Sequence, residues 1–215
     1  MSEQNFPPKG IPRTLIEMRD VAMDSVLLAD KPDMDLYFMN RDILKNETEF
    51  RLDETTIIAI KIGVEFNKTY GHEHKCAELY EIISGAGYFL MQRRDGEDIE
   101  EIFIVPARTG EKVYVPPKYG HLMINSTDES LVTRNIMFKK SVSDYKPFKE
   151  HHGAGYYAID SGEAVEWVIN KSWPKVTPIK MKTLAQLFKE FQIDKAKEPL
   201  SELILTNNKI LNLFR

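Results

Sequence analysis

Between Thr55 and Lys139 the chain breaks into seven short β-rich runs, at 55–66, 78–83, 87–92, 101–105, 112–115, 121–125 and 131–138. They recur about every ten residues, and no helical period separates them. Turn-forming clusters divide the runs: Ser84-Gly85-Ala86-Gly87, Arg94-Asp95-Gly96-Glu97 and Ser126-Thr127-Asp128-Glu129. Glycine supplies the left-handed backbone such turns need, and Asp, Asn and Ser bond their own main chain there. Parallel pairing requires crossover helices, which this stretch has no room for, so the pattern predicts an antiparallel sandwich or small barrel.

The flanks have a different texture. Phe6 to Pro12 carries three prolines and reads as extended chain. Leu15, Met18 and Val21 recur at a helical interval, and Asp30-Lys31-Pro32-Asp33 is a turn signal before a short strand at 36–39. After Val142, residues 149–157 form a Gly- and His-containing loop, and 167–169 a strand. Leu184, Leu187, Phe188 and Phe191 mark one face of an amphipathic helix, and an apolar tail runs from Leu200 to Phe214. This divides the chain into an N-terminal arm (1–34), a barrel (35–160) and a C-terminal helical extension (161–215) that packs on the barrel or on a second subunit.

Composition narrows the function classes. Against 33 acidic side chains stand 29 Lys and Arg, a net charge of −4, which offers no electrostatic footprint for nucleic acid. The longest apolar runs are too short to span a bilayer, and the N-terminus shows no secretory leader. One cysteine, Cys76, cannot make an internal disulfide, so a cytoplasmic protein is expected.

The chemistry concentrates in Thr69-Tyr70-Gly71-His72-Glu73-His74-Lys75-Cys76-Ala77-Glu78-Leu79-Tyr80. In extended chain His72 and His74 project from one face, because side chains alternate. Glu78 has the same parity, and a barrel can bring His121 alongside from a later strand. Three neutral imidazoles and a carboxylate suit one first-row divalent ion, Fe, Mn, Ni or Zn, with positions left open for water or substrate oxygens. Glu81 is the competing carboxylate, and Cys76 reads as a small apolar residue.

The two blocks His72-Glu73-His74-Lys75-Cys76-Ala77-Glu78 and Pro116-Pro117-Lys118-Tyr119-Gly120-His121, with Gly85-Ala86-Gly87 between them, resemble those of the cupin superfamily. With their flanks, Thr69-Tyr70-Gly71, Ala77-Glu78-Leu79-Tyr80 and Val113-Tyr114-Val115-Pro116-Pro117, they are similar to the archaeal-type cupin glucose-6-phosphate isomerases over roughly residues 35 to 160. The resemblance implies an all-β cupin jelly roll, the double-stranded β-helix. It also implies one divalent ion per subunit on His72, His74, Glu78 and His121, and a sugar-phosphate substrate touching Tyr37, Thr69, Gly71 and Tyr80. The proton-transfer carboxylate would be Glu78. A histidine and a tyrosine after the second block complete the family's set; Tyr145, His151, His152, Tyr156 and Tyr157 compete for those places, and His152 with Tyr156 is the pairing favoured. Strand exchange is frequent among cupins, so the arm and tail suggest a homodimer. The same ligand set would also serve an Fe(II) oxygenase or a non-catalytic sugar-binding cupin.

Overall fold

The computed structural model describes residues 10–26, 28–193 and 198–206. The N-terminal end of the arm and the tail beyond Thr206 lie outside them. In chain order the strands are β1 (Ile11–Thr14), β2 (Asp35–Asn40), β3 (Phe50–Ile57), β4 (Lys61–Ile62), β5 (Glu65–Phe66), β6 (Glu78–Ser84), β7 (Ala86–Asp95) and β8 (Asp98–Arg108). They continue with β9 (Lys112–Val115), β10 (Gly120–Ile124), β11 (Leu131–Phe138), β12 (Tyr156–Asp160), β13 (Val165–Ile169), β14 (Lys175–Val176) and β15 (Lys180–Met181). Among the described residues four short α-helices accompany them, α1 (Leu15–Met18), α2 (Lys146–Glu150), α3 (Leu184–Glu190) and α4 (Leu200–Leu203), with a 3-10 turn at Arg19–Val21.

Three sheets result. One has the order β1-β2-β3-β11-β6-β9, the second β10-β7-β8-β14 with β15 also on β8, and the third β13-β12-β5-β4. Every pairing is antiparallel except those of β14 and β15 with β8. The first two sheets are the walls of the cupin jelly roll, and buried side chains from both faces of their strands, among them Leu52, Leu79, Phe89, Leu90 and Ile136, belong to one hydrophobic core. The sheets are continuous through residues 34/35 and 160/161. Thus β1 pairs with β2 across the arm, and β13 with β12 across the start of the extension.

Several sequence expectations need correction. The run 55–66 is not one strand: β3 ends at Ile57, and β4 and β5 form a small hairpin turned at Gly63, whose φ of +70° favours glycine. Lys149 and Glu150 belong to the last turn of α2 rather than a loop, and Tyr156 and Tyr157 open β12. The extension is explained by β8. Ile102, Phe103, Ile104 and Val105 are all buried, so this strand is covered on both faces. α3, whose Leu187 and Phe188 are buried, packs against β8 and β9, while β14 and β15 pair in-plane with the edge of β8. Thr183 caps α3 by accepting from the Gln186 amide. Lys182 lies over the Phe103 ring at 3.8 Å and donates to Glu101.

A buried ion pair ties the arm to the barrel. Lys68 and Glu65 are bonded to each other with side chains 3% and 2% exposed. Lys68 Nζ also donates to the Val21 carbonyl at 2.8 Å, and Glu65 accepts from the Met23 amide at 2.9 Å. Removing one partner strands the other in low dielectric. A Lys68→Met variant should therefore lose about 3–5 kcal/mol, read by urea unfolding, while Lys68→Met/Glu65→Leu recovers part of that loss.

Candidate metal centre

The segment between β5 and β6 runs antiparallel along the free edge of β10. The Thr69 amide donates to Met123, and the Asn125 amide to Asn67. His72 and His121 exchange both backbone hydrogen bonds, N–H to O at 3.2 and 2.9 Å. A reciprocal pair of this kind holds two residues directly opposite, with side chains on one face. His74, two residues on, shares that face. Residues 75–77 then cross to the six-stranded sheet, where Glu78 opens β6 opposite Val115. One ligand atom from each of His72, His74, Glu78 and His121 lies within 4.8 Å of the others.

The imidazoles are held by their far nitrogens. His74 Nδ1 is 2.6 Å from the Cys76 carbonyl, and His121 Nδ1 is 3.4 Å from the Tyr119 carbonyl. Their Nε2 atoms thereby face Glu78, at 3.0 Å from Oε1 for His74 and 3.3 Å from Oε2 for His121. A backbone acceptor on the outer nitrogen is how ligating histidines are oriented. Apart from these close histidine–carboxylate approaches, His72 Nε2, His74 Nε2 and Glu78 Oε2 are buried without a well-formed hydrogen bond. Orphaned polar atoms are rare in folded interiors because each one costs desolvation free energy. Three of them converging on one point fit a cation as the missing partner, and the donor set suits a first-row divalent ion.

Electrostatics favour the ligating forms of His72 and Glu78, while His74 is drawn the other way by its carboxylate neighbour. Burial, together with the neighbouring His121, pushes the His72 imidazole well below its ordinary value, keeping it neutral. Burial pushes the Glu78 carboxyl up, but the His121 and His74 imidazoles outweigh this and hold it well below the usual range, hence ionised. For His74, burial is outweighed by the Glu78 carboxylate and the Cys76 carbonyl, and its value rises.

A small, partly open cavity adjoins the cluster; Tyr37, Thr69, Gly71 and Tyr80 line it with His72, Glu78 and His121. Tyr80 Oη is 3.1 Å from His121 Nε2. Tyr37 Oη accepts from the Tyr70 amide, and Thr69 Oγ1 from the Met123 amide, so both hydroxyl protons are free to point elsewhere. Burial pushes the Tyr37 and Tyr80 phenols up, which keeps them neutral donors.

His152 and Tyr156 do not join this set. Tyr145, Phe148 and His152 would share a face if α2 continued, but it stops at Glu150 and His152 takes a left-handed φ of +56°. Its ring is exposed, with Nδ1 3.3 Å from the Asp20 carbonyl. Tyr156 sits in β12 opposite Ile169, away from the cavity lining. His151 is engaged elsewhere, stacked on Trp173 at 3.8 Å and bonded to Glu97 at 2.5 Å. Of the competing tyrosines, Tyr145 reaches the cavity. Glu81 pairs with Lys112 and accepts from the Leu200 amide, outside the cluster. Arg41 and Asn135 also line the cavity and escaped sequence reading, since neither stands in a motif.

The family model for glucose-6-phosphate isomerase (GPI) matches residues 25–175. The glucose-6-phosphate isomerase of Thermococcus gammatolerans is 31% identical over 173 residues, 77% of this chain and 88% of that protein. That of Pyrococcus abyssi shows the same identity and coverage. A bacterial relative, the glucose-6-phosphate isomerase of Sinorhizobium medicae, is 31% identical over 63% of this chain and 68% of its own. Among solved structures, oxalate decarboxylase from Bacillus subtilis aligns with a TM-score of 0.39 at 23% identity, covering 50% of this chain and 27% of that one. The family match takes in both histidine blocks and every strand from β2 to β13, and the chain belongs to the glucose-6-phosphate isomerase family.

Proposed function

We propose that this protein interconverts glucose 6-phosphate and fructose 6-phosphate, with one divalent ion held by His72, His74, Glu78 and His121. The observation that carries the reading is the convergence of buried ligand atoms without well-formed hydrogen bonds at the wall of a polar cavity, in a chain of this family. The bound ion would act as a Lewis acid toward the C1 and C2 oxygens of the open-chain sugar.

The chain's own groups do the rest. Aldose–ketose exchange removes a proton from C2, leaves an enediol and returns a proton to C1, so it needs one base on one face of the substrate. Glu78 is the one carboxylate among the described residues lining the cavity, is ionised, and is assigned that transfer. Tyr80, neutral and beside His121, offers a proton donor to the substrate's oxygens. Tyr37, Thr69 and the Gly71 amide provide neutral donors for the rest of the sugar phosphate.

The same proposal includes a cytoplasmic homodimer. Among the described residues no helix is long and apolar enough to cross a membrane. Within the six-stranded sheet β1 is an edge with a single partner strand, and Ile11 and Ile16 beside it are exposed.

The decisive experiment supplies fructose 6-phosphate and couples any glucose 6-phosphate formed to its dehydrogenase. Protein stripped with a chelator should fall to background and recover when Fe, Mn, Ni or Zn is returned. No turnover with any of the four would sink the reading, and oxygen uptake instead would favour an oxygenase.

A further inference from the structure

We propose that Arg41 is the cationic anchor for the substrate's phosphoryl group, with Asp53 as the residue that positions it; the proposal rests on the isomerase reading above. Register in the six-stranded sheet sets up the geometry. Tyr80 lies opposite Asn135, and Asn135 opposite Asp53, forming one row across β6, β11 and β3. Asn40, the last residue of β2, lies opposite Glu54, so Arg41 leaves that strand at the level of Asp53. Two strand spacings of about 4.8 Å separate Tyr80 from Asp53, so the Arg41 end of the row is roughly 10 Å from the Tyr80 end. Tyr80 adjoins the cluster where C1 and C2 would react. A hexose phosphate carries its anion on C6, at the far end of the open chain, and a row with chemistry at one end and Arg41 at the other matches that separation.

The charge balance points the same way. Asp53 is 1% exposed and accepts from Arg41 Nη1 at 2.7 Å, Arg51 Nε at 2.9 Å and the Asp42 amide at 2.9 Å. One carboxylate between two guanidiniums cannot neutralise both. Arg51 turns toward Met137, whereas Arg41 lines the cavity with 42% of its side chain exposed. Arg41 Nη2 approaches the weak acceptor Met39 Sδ at 3.3 Å, and no hydrogen bond from Arg41 Nε is found among the described residues. Apart from the histidines, Arg41 is the one cationic side chain among the described residues lining the cavity; the remaining donors there are hydroxyls and an amide. A phosphoryl dianion leaving water for this cavity needs a charge-assisted donor, and a guanidinium fork already clamped on one side presents its remaining N–H groups at little entropic cost.

Arg41 thus selects phosphorylated over free hexose. Hydrogen bonds to charged groups contribute about 1.5–3 kcal/mol, so Arg41→Gln should raise KM for fructose 6-phosphate roughly 10- to 100-fold with kcat within about 3-fold. Arg41→Lys keeps the charge without the fork and should fall between the two. Calorimetric titration with glucose 6-phosphate and with inorganic phosphate should show the same loss in affinity, and a thermal melt confirms that each variant is folded. An unchanged KM, or a fall in kcat alone, overturns the proposal. If the wild type shows no isomerase activity yet binds phosphate through Arg41, the isomerase reading fails and the anchor stands. If the wild type isomerises and Arg41→Gln binds phosphate normally, only the anchor fails.

Discussion

His121→Ala is expected to strip the protein of its divalent ion and, with it, of isomerase activity. The side chain supplies one of four ligand atoms gathered within 4.8 Å, and nothing else among the described residues replaces it. Outer-shell partners of a metal site are worth about 10- to 100-fold in affinity or activity, and a direct ligand should cost more than ~100-fold in each. The backbone should survive, because His121 is held to His72 through main-chain atoms that alanine retains. Elemental analysis after gel filtration, circular dichroism and the coupled assay separate loss of metal from loss of fold. His74→Ala should behave alike. His152→Ala is the contrast: its ring is exposed and outside the cavity, so activity within about twofold of wild type is expected. Full metal content in both His74→Ala and His121→Ala would remove the site from the protein.

What could be read before the structure, and what could not, follows from the range of the interactions involved. His72, His74 and Glu78 were legible because strand parity is local, and an extended chain turns every second side chain the same way. His121 followed once a barrel was expected. Asn135 and Arg41 depend on the registers β2–β3–β11–β6, which join positions up to 88 residues apart and leave no local signal. The pairing of His152 with Tyr156 is not brought to the cavity, because α2 stops at Glu150, His152 turns at a left-handed φ, and Tyr156 lies within β12. A left-handed φ at a non-glycine residue is not announced by composition, and it swings His152 out toward Asp20. The extension's place depends on contacts with the distant run 101–105, which leave no local signal. The uninterrupted Ile102-Phe103-Ile104-Val105 is buried on both faces, and α3 packs against the strand while β15 extends its edge.

Gly71→Ala should cost several kcal/mol and loosen the metal site, although it adds one methyl group. Gly71 has a φ of +86°, where an L-residue pays about 1–2 kcal/mol for the crowding of its Cβ. An added Cβ would also lie 2.4 Å from Cδ1 and 2.6 Å from Cε1 of Phe148. That ring is fully buried and packs against Gly120 as well, where a Cβ would meet it at 2.9 Å. Phe148 therefore sits against both glycines that immediately precede His72 and His121, and pushing it aside moves the reciprocal backbone pair that aims the two imidazoles. Overpacking of this kind costs about 1–3 kcal/mol, giving roughly 2–5 kcal/mol in all. A double-mutant cycle separates the two contributions. In a Phe148→Leu background the clash is relieved while the backbone strain stays, so Gly71→Ala should cost at least ~1 kcal/mol less there than in the wild type. Urea unfolding of the four proteins, with metal content measured in parallel, reads both. Equal costs in the two backgrounds would leave backbone strain as the whole effect, and a neutral Gly71→Ala would mean that neither the turn nor the ring constrains the ligand strand.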